Sequence, residues 1–347
     1  MAGGATTSEL VSAVSEAGAL GFVGAAYLTP EAIATAAAEV RERTQRPFGI
    51  NLFAPLPAPA PIGEMGRMLE ILAPVHAELG LPPPAAPAAA PSAFEAQLEA
   101  VLATDATVFS FTFGLLPDGV IERLRARGML VMGTATTVDE AVRLEAAGVD
   151  AVVVQGGEAG AHRGTFVGSF EAAMIGTMAL VPQAVDAVRV PVVASGGIMD
   201  GRGIAAALAL GAAAAQLGTA FLTCHESGIP TSHKGAILAG REDATRLTRA
   251  FSGRPARGLV NHLMDLIDAE AHAILPFPVQ NALTRPIRAA AAARDDANYL
   301  SLWAGQGVRL ARSLPAAELV AALAEETASA SRQLTSASRS RRSRTRR

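Results

Sequence analysis

The sequence predicts an α/β fold, a (β/α)8 TIM barrel whose first strand is missing at the N-terminus, with an added C-terminal helical portion. Short apolar, β-rich runs alternate with amphipathic helices, and this alternation is typical of parallel strands joined by helical crossovers. The length of 347 residues is one that such barrels often reach undivided. Hydrophobic residues make up 50% and charged residues 18%, so the chain has ample material for a core.

The strand pattern occurs seven times, whereas a closed barrel of this class has eight strands. Residues 1–4 form a glycine turn that leads straight into a capped helix, as chain normally does after a strand. We therefore expect a strand before Met1 and a start codon assigned too late; a seven-stranded or open sheet is the alternative. The predicted strands are Phe22–Leu28, Phe48–Phe53, Val108–Phe113, Leu130–Thr134, Ala151–Gln155, Val192–Ser195 and Ala214–Leu222.

Helix start and stop signals separate these strands. Thr6–Glu9 and Thr137–Glu140 are Ser/Thr-x-x-Glu boxes, which cap the first free amides of a helix. Pro30 occupies a first helical position. Gly128 and Gly148 follow predicted helices and supply the left-handed residue that closes them.

Two stretches break the repeat. Residues 54–92 hold a predicted helix, Ile62–Leu79, between proline-rich segments, and we interpret them as an excursion from the barrel. We assign residues 1–230 to the barrel, 231–328 to a mostly helical portion that covers its active face, and 329–347 to a disordered Ser/Arg tail.

Charge is unevenly distributed along the chain. Arg332–Arg347 carries seven of the 29 basic residues and no acidic residue, so the remainder is acidic, which argues against a nucleic-acid-binding domain. We interpret the tail as a solvated extension; an arm that binds a polyanion is the alternative. The single cysteine, Cys224, rules out an internal disulfide and fits a reducing compartment.

No secretory pattern is visible at the N-terminus, so we expect a cytoplasmic protein. The most apolar run, Gly203–Cys224, is about as long as a membrane span. Because it contains Gln216 and two internal glycines, we interpret it as a helix followed by a buried strand and expect no membrane partner.

The candidate catalytic residue is His162. It lies in the run Gln155–Gly164, which follows a predicted strand directly, and active sites of such barrels gather on these loops. The glycines of the run let backbone approach a ligand closely. An imidazole titrates near physiological pH, so His162 is a candidate base for removing a proton next to an electron-withdrawing group; a structural histidine is the alternative. The other five histidines show no metal-binding spacing, and we expect no metal site.

A phosphate site is predicted at the last two strands. No P-loop and no Rossmann glycine motif occurs in the chain. The run Ser195–Gly201 ends one predicted strand, and Gln216–Phe221 lies in the next. With no side chain at Gly197 or Gly218, backbone amides of these neighbouring loops form a phosphate cup; ordinary tight turns are the alternative. The pattern points to FMN or a phosphorylated substrate.

Taken together, these motifs resemble one family, the nitronate monooxygenases, formerly called 2-nitropropane dioxygenases, and in particular the bacterial class I branch that acts on propionate 3-nitronate. The family's fold is an FMN-containing barrel with an added helical domain. The resemblance covers nearly the whole chain and is carried by the glycine turn after Met1, Asn51–Phe53, Gln155–Gly164, Gly196–Gly201, Gln216–Thr219 and Leu302–Gly307.

The resemblance implies that FMN oxidises an alkyl nitronate with dioxygen to a carbonyl compound and nitrite, without consuming pyridine nucleotide. His162 matches the active-site histidine, which would orient the nitro group or deprotonate a neutral nitroalkane. Amides of Asn51 and Gln155 would hydrogen-bond the flavin ring, and the glycine loops would take the phosphate. The implied FMN-binding residues are Asn51, Gln155, Gly160, Gly197, Gln216, Leu217, Gly218 and Thr219.

Two positions depart from the family pattern. Ala161 stands where the family usually has glycine, which matters if this position has a positive φ. Met1 matches the last residue of a strand ending in Ala-Pro-Met, so a chain that starts there would bind flavin less well. The segment with Tyr299 and Trp303 is a candidate specificity pocket, with core packing as the alternative.

Two other functions stay open. One is an FMN-dependent enoyl reductase of fatty-acid synthesis, which shares the barrel and a similar glycine–histidine loop but requires NADH. The other is a non-catalytic flavin-binding relic, truncated at its N-terminus. The sequence does not determine the oligomeric state.

Overall fold

The computed structural model describes residues 3–56, 65–87 and 92–344, with side chains as far as residue 333. Its main element is a parallel sheet of seven strands with connecting helices, and the predicted TIM-barrel-like α/β fold is confirmed. In spatial order the strands are β1 (Gly21–Gly24), β2 (Phe48–Phe53), β3 (Val108–Thr112), β4 (Leu130–Ala135), β5 (Ala151–Gln155), β7 (Val192–Ser195) and β8 (Ala214–Gln216); β6 (Ala161–His162) belongs to a second sheet.

The strand ends are aligned along one edge of the sheet. Gln155 pairs with Ser195, and Ser195 pairs with Gln216, so the carboxyl ends of β5, β7 and β8 lie side by side. Loops that leave these strands therefore meet on one face. The candidate site residues predicted from the sequence lie at or just after this edge.

Several predicted strands end earlier than expected. The strand predicted over Ala214–Leu222 is wrong after Gln216, because the chain turns at Gly218 and forms a short helix that buries Ala220 and Leu222. The strand predicted from Phe22 to Leu28 ends at Gly24, and the Leu28 amide donates to the Ala25 carbonyl in a turn.

The helices begin at the capping residues that the sequence indicates, with one shift. Thr7, rather than Thr6, accepts from the Leu10 amide at the first helix, whereas Thr137 accepts from the Glu140 amide as predicted. The α-helices are α1 (Ser8–Glu16), α2 (Pro30–Arg43), α3 (Gly66–Glu78), α4 (Phe94–Leu102), α5 (Val120–Ala126), α6 (Val138–Ala146), α7 (Thr177–Ala187), α8 (Gly201–Ala209), α9 (Thr219–Leu222), α10 (Thr231–Leu238), α11 (His262–Asp268), α12 (Val279–Ala293) and α13 (Ala316–Arg344).

The excursion after β2 joins a second apolar core. Met68 and Leu72 of α3 are fully buried and belong to the same cluster as Leu283 and Ile287 of α12. The helix predicted over Ile62–Leu79 is thus present as Gly66–Glu78, and residues 57–64 and 88–91 lie outside the described residues. This second core brings the segment after β2 together with the helices after residue 230.

A small antiparallel sheet connects this second core to the loop of His162. Strand β10 (Ala256–Leu259) pairs with β9 (Thr245–Thr248) on one side and with β6 on the other, where Ala256 lies opposite His162. The portion after residue 230 is therefore not purely helical. The pairing of β10 with β6 connects this portion to the loop that carries His162.

Helix α13 begins by packing into the core. Ala316, Leu319 and Leu323 are buried against α1 and α8, and the backbone stays helical to Arg344. It therefore includes residues 329–344 of the range predicted as a disordered tail. Residues 345–347 lie outside the described residues.

The two ends of the main sheet are β1 and β8. Gly3 and Gly4 both have positive φ, as the predicted glycine turn requires. Met1 lies outside the described residues, so the strand expected before it stays a prediction. The apolar run predicted as a helix and a strand contains α8, β8 and α9, and none of the described helices is both long and apolar enough to cross a membrane.

Candidate active site

A row of polar side chains lines the strand ends. Asn51 of β2 donates from Nδ2 to Ser110 Oγ of β3 at 2.8 Å, and Thr112 Oγ1 lies 3.3 Å from Thr134 Oγ1 of β4. Gln155 ends β5 in the same row. These groups interrupt an otherwise apolar barrel interior and offer amide and hydroxyl contacts to a polar ring.

The Gln155 side chain is largely occupied by its own loop. Its Oε1 accepts from the Gly164 amide at 2.8 Å and from Arg163 at 3.0 Å, while Nε2 donates to the His162 carbonyl at 3.0 Å. The predicted contact of this amide with a flavin ring is thus limited to the second Nε2 hydrogen. Its main effect is to hold the backbone on both sides of His162.

The fully buried Arg163 side chain stabilises this loop through hydrogen bonds to its backbone. Arg163 has no exposed surface, and its two terminal nitrogens donate to the carbonyls of Gln155, Gly156 and Ala173 as well as to Gln155 Oε1, at 2.6–3.1 Å. Burial lowers the pKa of Arg163 to about 10. Because a guanidinium presents several donors in a rigid plane, one side chain fixes the end of β5 and the following turn.

His162 is half-buried and bonded through Nε2. That nitrogen lies 2.7 Å from Ser252 Oγ, and the Ser252 hydroxyl also lies 3.1 Å from the Arg254 carbonyl, to which it donates. Because the Ser252 hydroxyl donates its proton to that carbonyl, its oxygen accepts a hydrogen bond from His162 Nε2–H. The other ring nitrogen, Nδ1, is then unprotonated and can act as an acceptor. The ring is therefore positioned by two elements, its own loop and the turn before β10.

The electrostatic surroundings keep His162 neutral. Burial, together with the nearby Arg254 and Arg288 cations, lowers the pKa of His162 to about 3. At neutral pH the imidazole is then uncharged and can accept a proton or a hydrogen bond. The two arginines make the same space favourable for an anion.

Aromatic rings surround His162 on several sides. Ring centroids lie 5.5 Å from His162 for Trp303, 5.9 Å for Phe113 and 6.2 Å for Phe277. The Phe113 ring in turn contacts the Phe53 ring, with centroids 4.4 Å apart, and the Phe53 ring contacts that of Tyr27, with centroids 5.5 Å apart. This aromatic cluster (Tyr27, Phe53, Phe113, His162, Phe277 and Trp303) combines the last residue of β2 and residues after β1, β3 and β5 with residues of the C-terminal portion.

Arg254 completes the cluster. Its guanidinium carbon lies 3.9 Å from the centre of the Phe113 ring, an arrangement typical of cation–π attraction. Its nitrogens donate to the carbonyls of Arg163 and Thr165. Phe113 has a φ of 85°, and strained backbone of this kind is characteristic of functional sites.

The predicted phosphate cup lies at the ends of β7 and β8. Gly197 and Gly218 each come two residues after the paired positions Ser195 and Gln216, so they occupy equivalent places on neighbouring strands. Both glycines are exposed, and a Cβ added at Gly218 would meet nothing within 4 Å. Thr219 is buried, and its Oγ1 accepts from the Gly305 amide. A Cβ at Gly197, by contrast, would lie 3.1 Å from Glu158 Cβ, so the open space is on the Gly218 side.

Gly160 packs against the chain at residues 303–307. A Cβ at Gly160 would lie 2.5 Å from the Gly305 nitrogen and 2.6 Å from the Ala304 carbonyl carbon, and the Gln306 amide donates to the Glu158 carbonyl at 2.9 Å. Two backbone segments therefore meet here with no room for a side chain. This contact places Trp303 beside His162, whereas Tyr299 is buried in the second core against His262.

Ala161 adopts the left-handed conformation, with a φ of 61°. The departure from glycine at this position therefore matters, as the sequence analysis expected for a positive φ. Alanine is strained here by roughly 1 kcal/mol relative to glycine. Ala161→Gly is expected to raise the free energy of unfolding in urea by about that amount. Ala159→Gly in the same loop, where φ is not positive, should lower it; equal effects of both changes would contradict the strain argument.

The structure brings the predicted site residues to one face but divides them into two groups. Asn51, Gln155, Gly160 and His162 lie around the polar row and the aromatic cluster. The second group, Gly197, Gln216, Leu217, Gly218 and Thr219, lies at the ends of β7 and β8; Gln216 is exposed there and Leu217 is half-buried.

Apart from Trp303, sequence analysis missed the charged and aromatic members of the site. Arg254, Phe277 and Arg288 come from segments without a repeating pattern, and no spacing indicates that they reach the barrel. Tyr27 and Phe113 do lie at predicted strand ends, so a search restricted to those positions would have found them.

Comparisons with known proteins agree on one family. The family model described as "Nitronate monooxygenase" matches residues 1–326. A "Probable nitronate monooxygenase" of Staphylococcus haemolyticus is 42% identical over 93% of this chain and 91% of that protein.

Two solved structures share the fold over nearly the whole chain. A nitroalkane oxidase from Streptomyces ansochromogenes is 46% identical, with a TM-score of 0.90 over 96% of this chain and 95% of that one. FabK from Thermotoga maritima is 28% identical, with a TM-score of 0.75 over 96% and 94%.

Proposed function

Because the chain belongs to the nitronate monooxygenase family and is an oxidoreductase, we propose that it oxidises alkyl nitronates to a carbonyl compound and nitrite, with FMN bound and dioxygen as co-substrate. One observation carries the proposal: His162, whose pKa is lowered by burial and by Arg254 and Arg288, borders an aromatic cluster on the same face of the barrel as the exposed glycines at the ends of β7 and β8. We propose propionate 3-nitronate as the physiological substrate.

The residues at the strand ends fit a flavin mononucleotide. The exposed backbone at Gly197 and Gly218 can receive a phosphate, and the open space beside Gly218 leaves room for it. Asn51 and the remaining Nε2 hydrogen of Gln155 lie on the polar row, where a flavin ring would find amide partners. Gly160 lets residues 303–307 pack against the loop after β5, on the face where FMN would bind. When bound, FMN supplies electron acceptance and the reaction with dioxygen.

The arginines explain why an anionic substrate is preferred. A nitronate carries its negative charge on the nitro oxygens, and Arg254 and Arg288 supply positive charge beside His162. For a nitronate no proton has to be removed, so the low pKa of His162 brings no disadvantage.

A neutral nitroalkane requires one more step. His162 takes the proton from the carbon next to the nitro group, the C–H electron pair moves to the nitro oxygens, and the nitronate forms beside the arginines. A base whose pKa is about 3 is poorly matched to a weak carbon acid, so we expect nitronates to react faster than the parent nitroalkanes.

The decisive test is an anaerobic visible spectrum of the purified protein before and after propionate 3-nitronate. Bound FMN should lose its absorbance on adding the nitronate and should not lose it on adding NADH. Bleaching by NADH alone would support the enoyl reductase instead, and bound flavin that neither reductant bleaches would support a non-catalytic protein. A protein that refuses added FMN would overturn the proposal.

A further inference from the structure

Two polar side chains of α12 are fully buried and bind the turn that precedes β10. Gln280 Nε2 donates to the Ala250 carbonyl at 2.8 Å, and Thr284 Oγ1 donates to the Phe251 carbonyl at 2.5 Å. The two side chains lie four residues apart and so share one face of the helix. A helix of the second core therefore fixes the backbone immediately before Ser252.

The turn itself leaves Ser252 little freedom. This side chain is buried, and its hydroxyl donates to the Arg254 carbonyl at 3.1 Å and accepts from the Arg254 amide at 3.3 Å. Gly253 has a φ of 82°, and a Cβ there would lie 2.1 Å from the Leu275 carbonyl oxygen, so the turn packs tightly against the chain before α12. The Ser252 oxygen is thus held in place as an acceptor toward His162.

This acceptor decides which nitrogen of His162 is basic. Nε2 lies 2.7 Å from Ser252 Oγ, and the hydroxyl proton is already donated to a carbonyl, so the hydrogen between the two side chains belongs to Nε2. In a neutral imidazole the other nitrogen is then the acceptor. Nδ1 makes no hydrogen bond within the described part of the chain, and it keeps some exposure to solvent. It is therefore the nitrogen that a substrate can reach.

We propose that Ser252 is a positioning residue for proton removal, which holds the hydrogen of His162 on Nε2 so that Nδ1 takes the proton of a neutral nitroalkane, and that Gln280 and Thr284 position Ser252. The inference rests on the proposed function and deepens it. The C–H bond next to the nitro group breaks, its electron pair moves to the nitro oxygens, and the proton forms an N–H bond at Nδ1. The resulting imidazolium still donates from Nε2 to Ser252, and this hydrogen bond is now charge-assisted and stronger.

The first experiment compares nitroethane with ethyl nitronate, which needs no proton removal. Ser252→Ala should lower kcat/KM for nitroethane about 10-fold, because the charge-assisted hydrogen bond is lost, and should change that for ethyl nitronate less than about threefold. Ser252→Thr keeps the hydroxyl and should retain the nitroethane activity. Ser12→Ala is the matched control, since it removes another buried hydroxyl that donates to backbone carbonyls, in α1, and it should leave both substrates unchanged.

The contribution of α12 is tested by Thr284→Val, which keeps the shape of the side chain and removes its donor. We expect a loss of about threefold with nitroethane and none with ethyl nitronate, because a less firmly held turn weakens the Ser252 contact. An unchanged ratio of the two activities in this variant would overturn the part assigned to α12. Equal losses of both activities in Ser252→Ala would overturn the part assigned to Ser252.

The second experiment determines the tautomer without turnover, by NMR of the flavin-loaded protein with ¹⁵N-labelled histidine. The His162 signals, identified by their absence in His162→Asn, should show the hydrogen on Nε2 in the wild type and in Ser252→Thr, and a mixture of tautomers in Ser252→Ala. A hydrogen on Nδ1 in the wild type, or the wild-type tautomer in Ser252→Ala, would overturn the proposal. If the wild type oxidises neither substrate but Ser252→Ala changes the tautomer, the proposed function fails and the positioning of His162 by Ser252 stands.

Discussion

Replacing His162 by asparagine is expected to lower kcat/KM for nitroethane by about 100-fold, the lower end of the contribution of a positioned base, because its pKa lies far below neutral pH. For ethyl nitronate, the already deprotonated form of the same molecule, the loss should stay below about 10-fold. The difference follows from the site: proton removal needs the free imidazole nitrogen, whereas the anion is stabilised by Arg254 and Arg288, which the variant retains. Steady-state oxygen consumption with both substrates measures the two effects.

The control for this result is His272→Asn, because His272 is an exposed histidine far along the chain in a short helical turn. It should leave both substrates unchanged. Equal losses of nitroethane and ethyl nitronate activity in His162→Asn would contradict the role as a base and would assign His162 to orienting the nitro group. An asparagine that keeps the Ser252 contact limits the structural disturbance.

The fold was predictable because its signals are local. Runs such as Ala151–Gln155 and Val192–Ser195 are apolar, β-rich and bounded by turns, and the structure reproduces both as predicted. The error at Ala214–Leu222 has the same origin, since an apolar run gives no sign of where a strand becomes a helix. Strand ends were thus less certain than strands.

Site residues could be predicted only where they directly follow a strand, because those positions lie on the active face of the barrel. His162, Gly197 and Gly218 follow strands at once, so their position was implied by topology. Arg254 and Arg288 reach the same face through tertiary packing of β10 and α12, which no spacing in the sequence encodes. The electrostatic character of the site, with two arginines acting on His162, therefore appeared only with the structure.

Arg163→Met is expected to lower the free energy of unfolding by several kcal/mol, because each buried acceptor left without a donor costs about 1–3 kcal/mol. Methionine fills a similar volume but donates nothing, so the carbonyls of Gln155 and Ala173 lose the Arg163 donor and that of Gly156 keeps only the Ala159 amide. Arg163→Lys should recover little of the loss, because one ammonium cannot serve groups spread around a planar guanidinium. Urea unfolding of the flavin-loaded protein measures both.

The matched control for Arg163 is Arg143→Met, where an exposed arginine contacts Asp139 one helical turn away and contributes at most a few tenths of a kcal/mol. Flavin retention gives a second readout. Since Arg163 fixes Gln155 and the backbone on either side of His162, both Arg163 variants should release FMN on dilution more readily than the wild type. If Arg163→Met unfolds at the wild-type urea concentration and keeps its flavin, the loop is held by Gln155 and by the pairing of β6 with β10, and the buried guanidinium has no part in building the site.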